Sequence, residues 1–159
     1  MSKVLIVYYS RSGNTEKMAK LIAKAIEKEN VEVTCKKVGD TDPEELLDVD
    51  GVVIGSPTYY GTMAAEIKKF IDESVKYHGK LDGKVGAAFS SAAITGHETT
   101  CISILEALLI HGMIIQGDPD GCHYGATSIG EPKDRETQWC QKFGKRVAKL
   151  VNLICEKSN

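Results

Sequence analysis

Val4-Leu5-Ile6-Val7-Tyr8-Tyr9 runs directly into Ser10-Arg11-Ser12-Gly13-Asn14-Thr15, which opens a segment with Met18, Leu21, Ile22, Ala25 and Ile26 on one face. The continuous apolar run reads as a strand buried on both sides, and the 3.6-residue spacing after the turn reads as a helix. A buried strand, a tight turn and a helix form one unit of an alternating pattern, and short strands alternating with helices give a parallel sheet covered on both faces. The turn also carries chemistry. The first N–H groups of a helix lack internal partners, and the helix dipole favours an anion there. Ser10, Ser12, Asn14 and Thr15 add side-chain donors, and Gly13 lets the backbone approach closely. This predicts a phosphate site. The same residue types are ordinary N-caps, so a capped turn without a ligand is the competing reading.

Known phosphate loops narrow the choice. No GxxxxGK[ST] motif is present, and the turn holds one glycine where a dinucleotide fingerprint needs three. A phosphatase loop would need a thiolate, and the nearest cysteine is Cys35. The loop is expected to hold phosphate without cleaving it.

The rest of the chain repeats the alternation. Val31 to Val38 reads as an edge strand, and Asp42-Pro43-Glu44-Glu45 opens a short helix. Gly51 to Gly55 reads as a strand, and Met63 to Tyr77 as a helix with Ile67, Phe70, Ile71 and Val75 on one face. Lys84 to Phe89 is the next strand. Glu98 to His111 is a helix apolar nearly all round, which predicts self-association into a homo-oligomer. Met113 to Ile115 is a last short strand, Gly117 to Glu131 a long glycine-rich loop, and Asp134 to Glu156 the closing helix. Five strands and five helices in one domain, residues 1–159, predict an α/β three-layer sandwich with a five-stranded parallel sheet in order 2-1-3-4-5.

Composition excludes several function classes. A net charge of −2 provides no basic footprint for nucleic acid. No apolar run is long enough to cross a bilayer, and Val4 already enters a strand, so a cytoplasmic protein without a signal peptide is expected. The five cysteines, Cys35, Cys101, Cys122, Cys140 and Cys155, lack zinc or iron–sulfur spacing. They read as reduced buried thiols, and no metal is expected.

Ligands in such sheets bind at the carboxyl ends of the strands, near the switch between strands 1 and 3. That rule selects three loops: Ser10–Thr15, Ser56–Thr62 and Ser90–His97. The second presents Tyr59 and Tyr60 with Gly61, and the third is small and polar with no aromatic residue. Together they suit a mononucleotide with a planar head. A receiver domain of the same strand order would need acidic residues at the ends of strands 1 and 3. Here those ends are Tyr9-Ser10 and Gly55-Ser56.

Ser10-Arg11-Ser12-Gly13-Asn14-Thr15 resembles the FMN phosphate loop of flavodoxins. Ser56-Pro57-Thr58-Tyr59-Tyr60-Gly61-Thr62-Met63, then Phe70-Ile71-Asp72, resembles the second flavin loop of the WrbA-like NAD(P)H:quinone oxidoreductases. Phe89-Ser90-Ser91, Gly96-His97-Glu98-Thr99-Thr100, His111-Gly112-Met113 and Tyr124-Gly125-Ala126-Thr127 continue the likeness in order. The resemblance implies a flavodoxin-like fold with FMN bound noncovalently. Ser10, Arg11, Ser12, Gly13, Asn14 and Thr15 would surround the phosphate. Pro57, Thr58, Tyr59, Tyr60 and Gly61 would flank the ring and ribityl chain. Ser90, Ser91, Ala92, Ile94, Thr95 and Gly96 would cover the pyrimidine edge. His111 matches a histidine near the flavin, although a histidine at a helix end also reads as a C-cap. The implied reaction moves two electrons from NAD(P)H to a quinone or similar small acceptor. The alternative is a carrier shuttling single electrons between redox proteins. No residue is assigned as a proton donor. The chain departs from the WrbA-like pattern in having only Gly39 to Asp50 between its second and third strands. It also lacks a tryptophan before the fourth strand, and its one tryptophan is Trp139.

Overall fold

The computed structural model describes residues 1–157. β1 (Lys3–Tyr8), β2 (Glu32–Lys37), β3 (Gly51–Pro57) and β4 (Val85–Ala92) are parallel neighbours in the order β2-β1-β3-β4, with β5 (Ile114–Ile115) outside β4. The expected order 2-1-3-4-5 is present. The fifth position is filled in two pieces, because β6 (Thr127–Ile129) also pairs with β4. Gly117–Glu131 is therefore not one long loop. Its Thr127-Ser128-Ile129 stretch pairs with Ser90-Ser91-Ala92, a register that a three-residue strand among glycines does not advertise.

Four α-helices cover the sheet: α1 (Asn14–Glu27), α2 (Ala65–Glu73), α3 (His97–Ile110) and α4 (Asp134–Lys157). Side chains alternate across a strand. Val4, Ile6 and Tyr8 of β1 join Met18 and Ile22 of α1 and Val147 and Val151 of α4 in one core. Leu5 and Val7 of the same strand join Ile67 and Phe70 of α2 and Ile104 and Leu108 of α3 in the other. β3 and β4 are buried nearly throughout, as a strand with helices on both faces must be. The far end of the Phe89 ring occupies the space over Gly55 of β3, where a Cβ would collide with it.

Several element bounds differ from the sequence expectation. β4 starts at Val85 and runs on through Ala92, so Ser90, Ser91 and Ala92 are strand, not loop. The helix expected over Met63–Tyr77 stops at Glu73 and tightens into a 3-10 turn over Ser74–Tyr77, which leaves Val75 exposed. The short helix expected after Asp42 is a 3-10 helix over Pro43–Asp48, and a capping box between Asp42 and Glu45 opens it. Lys84 donates to the carbonyls of Leu46, Leu47 and Val49 at 3.1, 2.7 and 2.6 Å, satisfying acceptors that this turn leaves open. Cys101 and Cys140 are fully buried, and Cys35, Cys122 and Cys155 are partly so. Burial pushes the Cys35 thiol up to about 11 and those of Cys101 and Cys140 up to about 12. No group of metal-binding side chains and no membrane-length apolar helix occurs among the described residues.

Candidate functional site

Three loops meet where β1, β3 and β4 end. The first begins with Ser10, whose hydroxyl accepts hydrogen bonds from the N–H groups of Gly13 and Glu16 at 3.1 and 3.2 Å. That bond curls the turn over the start of α1. Gly13 is the N-cap at φ 96°, a left-handed conformation that glycine adopts freely, and no side chain caps the helix from this position. The N–H groups of Ser12, Asn14 and Thr15 find no acceptor among the described residues. With the Glu16 N–H taken by Ser10, these three remain open at the helix start, an arrangement of the kind that receives an anion. Arg11 and Ser12 are exposed beside it. Thr15 turns inward instead, and its hydroxyl shares a 2.8 Å bond with Ser91 on β4. This ties the first loop to the strand two places away.

The second loop doubles back on itself. Tyr59 and Thr62 exchange backbone hydrogen bonds at 3.0 and 3.2 Å. Between them Tyr60 and Gly61 take φ values of 50° and 79°. Two consecutive positive φ angles are the requirement of a type I′ turn. A tyrosine in that conformation is strained, and strain of this kind collects at functional sites. The turn throws the Tyr60 ring fully into solvent. Tyr59 goes the other way: its ring meets Tyr9 edge-on, centroids 6.4 Å apart, and its buried hydroxyl has no partner. Burial and the nearby Glu66 charge hold the Tyr9 phenol above its ordinary 10.0.

The third loop is shorter than the sequence implied. Ser90 donates from its hydroxyl to the His97 carbonyl, and its N–H goes to Ala126. The Ser91 carbonyl accepts from Thr58, and the Ala92 carbonyl accepts from Gly130. These residues frame the site with polar groups already occupied. The open part is Ala93, Ile94 and Thr95, all exposed, followed by Gly96 at φ 85°.

Two residues outside the expected site set hold the second and third loops together. The Thr99 hydroxyl donates to the Gly61 carbonyl at 2.7 Å, and that of Thr100 to the Thr58 hydroxyl at 3.0 Å. Both lie in the first turn of α3, and their signal was the hydroxyl pair following Gly96-His97-Glu98. Gly96 is packed so closely that a Cβ there would stand 2.9 Å from Thr58 Cγ2 and 3.2 Å from Gly61 Cα.

The structure does not bring His111 to this cluster. His111 precedes β5, which pairs with Val85 and Gly86 at the amino end of β4, so it lies at the opposite end of the sheet. It is the C-cap of α3, and its Nε2 shares a 2.8 Å hydrogen bond with the Ser74 hydroxyl. Burial, with His78 nearby, holds its pKa below 6.5. Trp139 packs on the surface of α4 beneath Arg135, away from the core.

Residues 5–106 match the family model described as a flavodoxin domain. The chain is 35% identical to an NAD(P)H dehydrogenase (quinone) of Archaeoglobus fulgidus, over 98% of this chain and all of that protein. It is 37% identical to a flavodoxin of Aquifex aeolicus, over 98% of this chain and 90% of that one. Among solved structures it superimposes on a flavodoxin from the domain Archaea with a TM-score of 0.80 and 34% identity, covering 94% of this chain and 99% of the other.

Proposed function

The chain belongs to the flavodoxin family, and from that premise we propose that it binds FMN noncovalently and passes two electrons from NAD(P)H to a small acceptor of the quinone type. The residues present fit the cofactor. The open N–H groups at the start of α1 are suited to its phosphate, with Arg11, Ser12, Gly13 and Asn14 around it. The partnerless Tyr59 hydroxyl and the outward Tyr60 ring are suited to its polar chain and planar head. When bound, FMN supplies the hydride acceptance and electron release. Ser10 and Gly13 shape the anion site, the Thr99 and Thr100 hydroxyls hold the second loop against α3, and Gly96 lets the two loops touch.

One observation carries the two-electron reading. Tyr60 is the one aromatic ring that the second and third loops turn outward, and the exposed Ala93, Ile94 and Thr95 of the third loop carry no ring. A planar head held there keeps one face open, and hydride transfer requires such a face. A carrier of single electrons is the second reading. The likeness to proteins named flavodoxin at similar identity favours it, and the small net charge argues against it, because it steers no partner. Self-association belongs to the first reading: α3 leaves Leu109 and Ile110 exposed beside Ile114 of the sheet edge.

The deciding experiment is an anaerobic titration of FMN-loaded protein with NADH and NADPH, followed by flavin absorbance. Direct bleaching to the fully reduced form is expected. No bleaching by either nucleotide, with stepwise reduction by dithionite, would overturn the enzyme reading in favour of the carrier.

A further inference from the structure

Two cysteines distant in sequence meet where β6 pairs with β4. Ser90 of β4 and Thr127 of β6 are register partners, so their side chains leave the sheet on the same face. α3 covers that face, because the Ser90 hydroxyl donates to the His97 carbonyl at the start of the helix. Ser90 also hydrogen-bonds the Cys101 thiol, and the Thr127 hydroxyl lies 3.6 Å from Cys122 Sγ. The turn between Cys122 and β6 closes the gap. Its Gly125 N–H donates to the Cys122 carbonyl at 3.1 Å, and a Cβ on Gly125 would collide with the Ala88 carbonyl and stand 3.6 Å from Cys101 Sγ. Glycine lets the turn press onto β4, and that sets Cys122 beside Cys101. The two thiols differ in access. Cys101 is fully buried, whereas Cys122 is half-buried and lines a cleft of about 340 Å³ that opens to solvent. Cys140 is buried in the other core, with Phe89 and Ala126, and Cys35 lies on β2 at the far edge of the sheet.

We propose that Cys122 and Cys101 are a thiol–disulfide switch: a low-molecular-weight disulfide entering the cleft oxidises them to an intramolecular bridge, and the bridge loosens the anchor of the second loop. The Cys122 thiolate attacks one sulfur of the incoming disulfide, whose S–S bond breaks, and the first small thiol leaves with a proton. The Cys101 thiol then gives up its proton and attacks Cys122 Sγ, the mixed disulfide breaks, and the second small thiol leaves protonated. Two protein thiols are oxidised and one small disulfide is reduced to two thiols. A bridge needs Cα atoms about 4.4–6.8 Å apart. Gly121, on the other side of Cys122, has nothing nearer to the place of a Cβ than Trp139 Nε1 at 3.8 Å, which leaves the turn room to settle toward α3. Burial pushes the Cys101 thiol up to about 12, so Cys122 meets the oxidant and Cys101 resolves the adduct. The effect then travels along α3. Cys101 directly follows Thr100, and the Thr99 and Thr100 hydroxyls hold Gly61 and Thr58 of the second loop. A bridge draws Cys101 from Ser90 toward the turn and shifts both anchors. This last step rests on the FMN reading; the bridge itself does not.

FMN-loaded protein is incubated with millimolar oxidised glutathione, free thiols are counted after denaturation, and the bridge is mapped by mass spectrometry of unreduced peptides. The count is expected to fall by two from the chain's five, with Cys101 and Cys122 in one linked peptide pair, and dithiothreitol is expected to restore it. Cys101→Ala is expected to stop at a glutathione adduct on Cys122. Cys122→Ser, a change in the loop and not in the core, is expected to keep its remaining thiols. Fluorescence titration with FMN is expected to show affinity about tenfold weaker after bridging, and no change in Cys122→Ser given the same treatment. A full thiol count in the treated protein, a stable glutathione adduct without a bridge, a bridge from Cys122 to Cys140, or unchanged FMN affinity in the bridged protein would each overturn the proposal. A chain that holds no flavin at all still yields the thiol count and the mapped bridge, so failure of the FMN reading is told apart from failure of the switch.

Discussion

Replacing Gly96 by alanine tests how the second and third loops share their space. Gly96 has φ 85°, and an added Cβ would press on Thr58 Cγ2 and the Gly61 backbone. Gly79, at φ 80°, has nothing within 4 Å of the same atom, so Gly79→Ala isolates the conformational part. A left-handed alanine costs about 1–2 kcal/mol, partly offset by about 0.4–1 kcal/mol from reduced freedom of the unfolded chain. Gly79→Ala is thus expected to lose about 1 kcal/mol. Gly96→Ala adds an overpacking cost of about 1–3 kcal/mol, for a total near 2–4 kcal/mol. The overlap falls on the loop that carries Tyr59 and Tyr60, so FMN affinity is expected to drop at least about tenfold in Gly96→Ala, roughly 1.4 kcal/mol, and to stay unchanged in Gly79→Ala. Urea unfolding of FMN-free protein gives the stability difference at constant slope. Fluorescence titration with FMN gives the affinity. Equal unfolding midpoints and equal FMN affinities for the two variants would refute the argument from close approach.

Ser12→Asp places a carboxylate beside the open N–H groups at the start of α1; at about 4 Å from a phosphate the repulsion is about 4 kcal/mol, so FMN affinity should fall roughly a thousandfold, and unchanged affinity would remove the phosphate assignment. Phe89→Ala empties a fully buried site over Gly55 and is expected to cost about 3–5 kcal/mol by urea unfolding, a loss under 1 kcal/mol showing that the core collapses onto β3. His111 has a folded pKa below 6.5, so the unfolded chain takes up the proton first; stability is full above about 6.5 and declines as pH falls toward the folded value. His111→Gln is expected to flatten that decline in unfolding curves measured from pH 7 to 5, and an unchanged slope would exclude His111 as its source. Leu109→Glu with Ile110→Lys is expected to convert an oligomer to monomer by analytical ultracentrifugation, and a wild-type chain already monomeric at micromolar concentration would remove the self-association reading.

Much of this protein is local information. Val4–Tyr9, the Gly13 turn and the periodicity after it specify a βα unit without reference to anything else, because strand burial and helix amphipathicity are written at neighbouring positions. The parallel sheet and its order follow from repeating that unit, and the loops to inspect follow from the topology. What the sequence could not supply is how chain segments distant in sequence divide their hydrogen bonds. Ser90, Ser91 and Ala92 read as an open polar loop, yet pairing with Thr127–Ile129 draws them into β4 and occupies their polar groups. The Thr15 hydroxyl, a candidate ligand by type, is committed to Ser91, 76 positions away. Thr99 and Thr100 become loop anchors only because α3 packs beside the second loop. His111 sits in a matching motif, but the register of β5 carries it to the far end of the sheet. Residue type and spacing determine what a group can do; register and packing across the sheet decide which neighbour it does it with, because a hydrogen bond acts over about 3 Å regardless of separation along the chain.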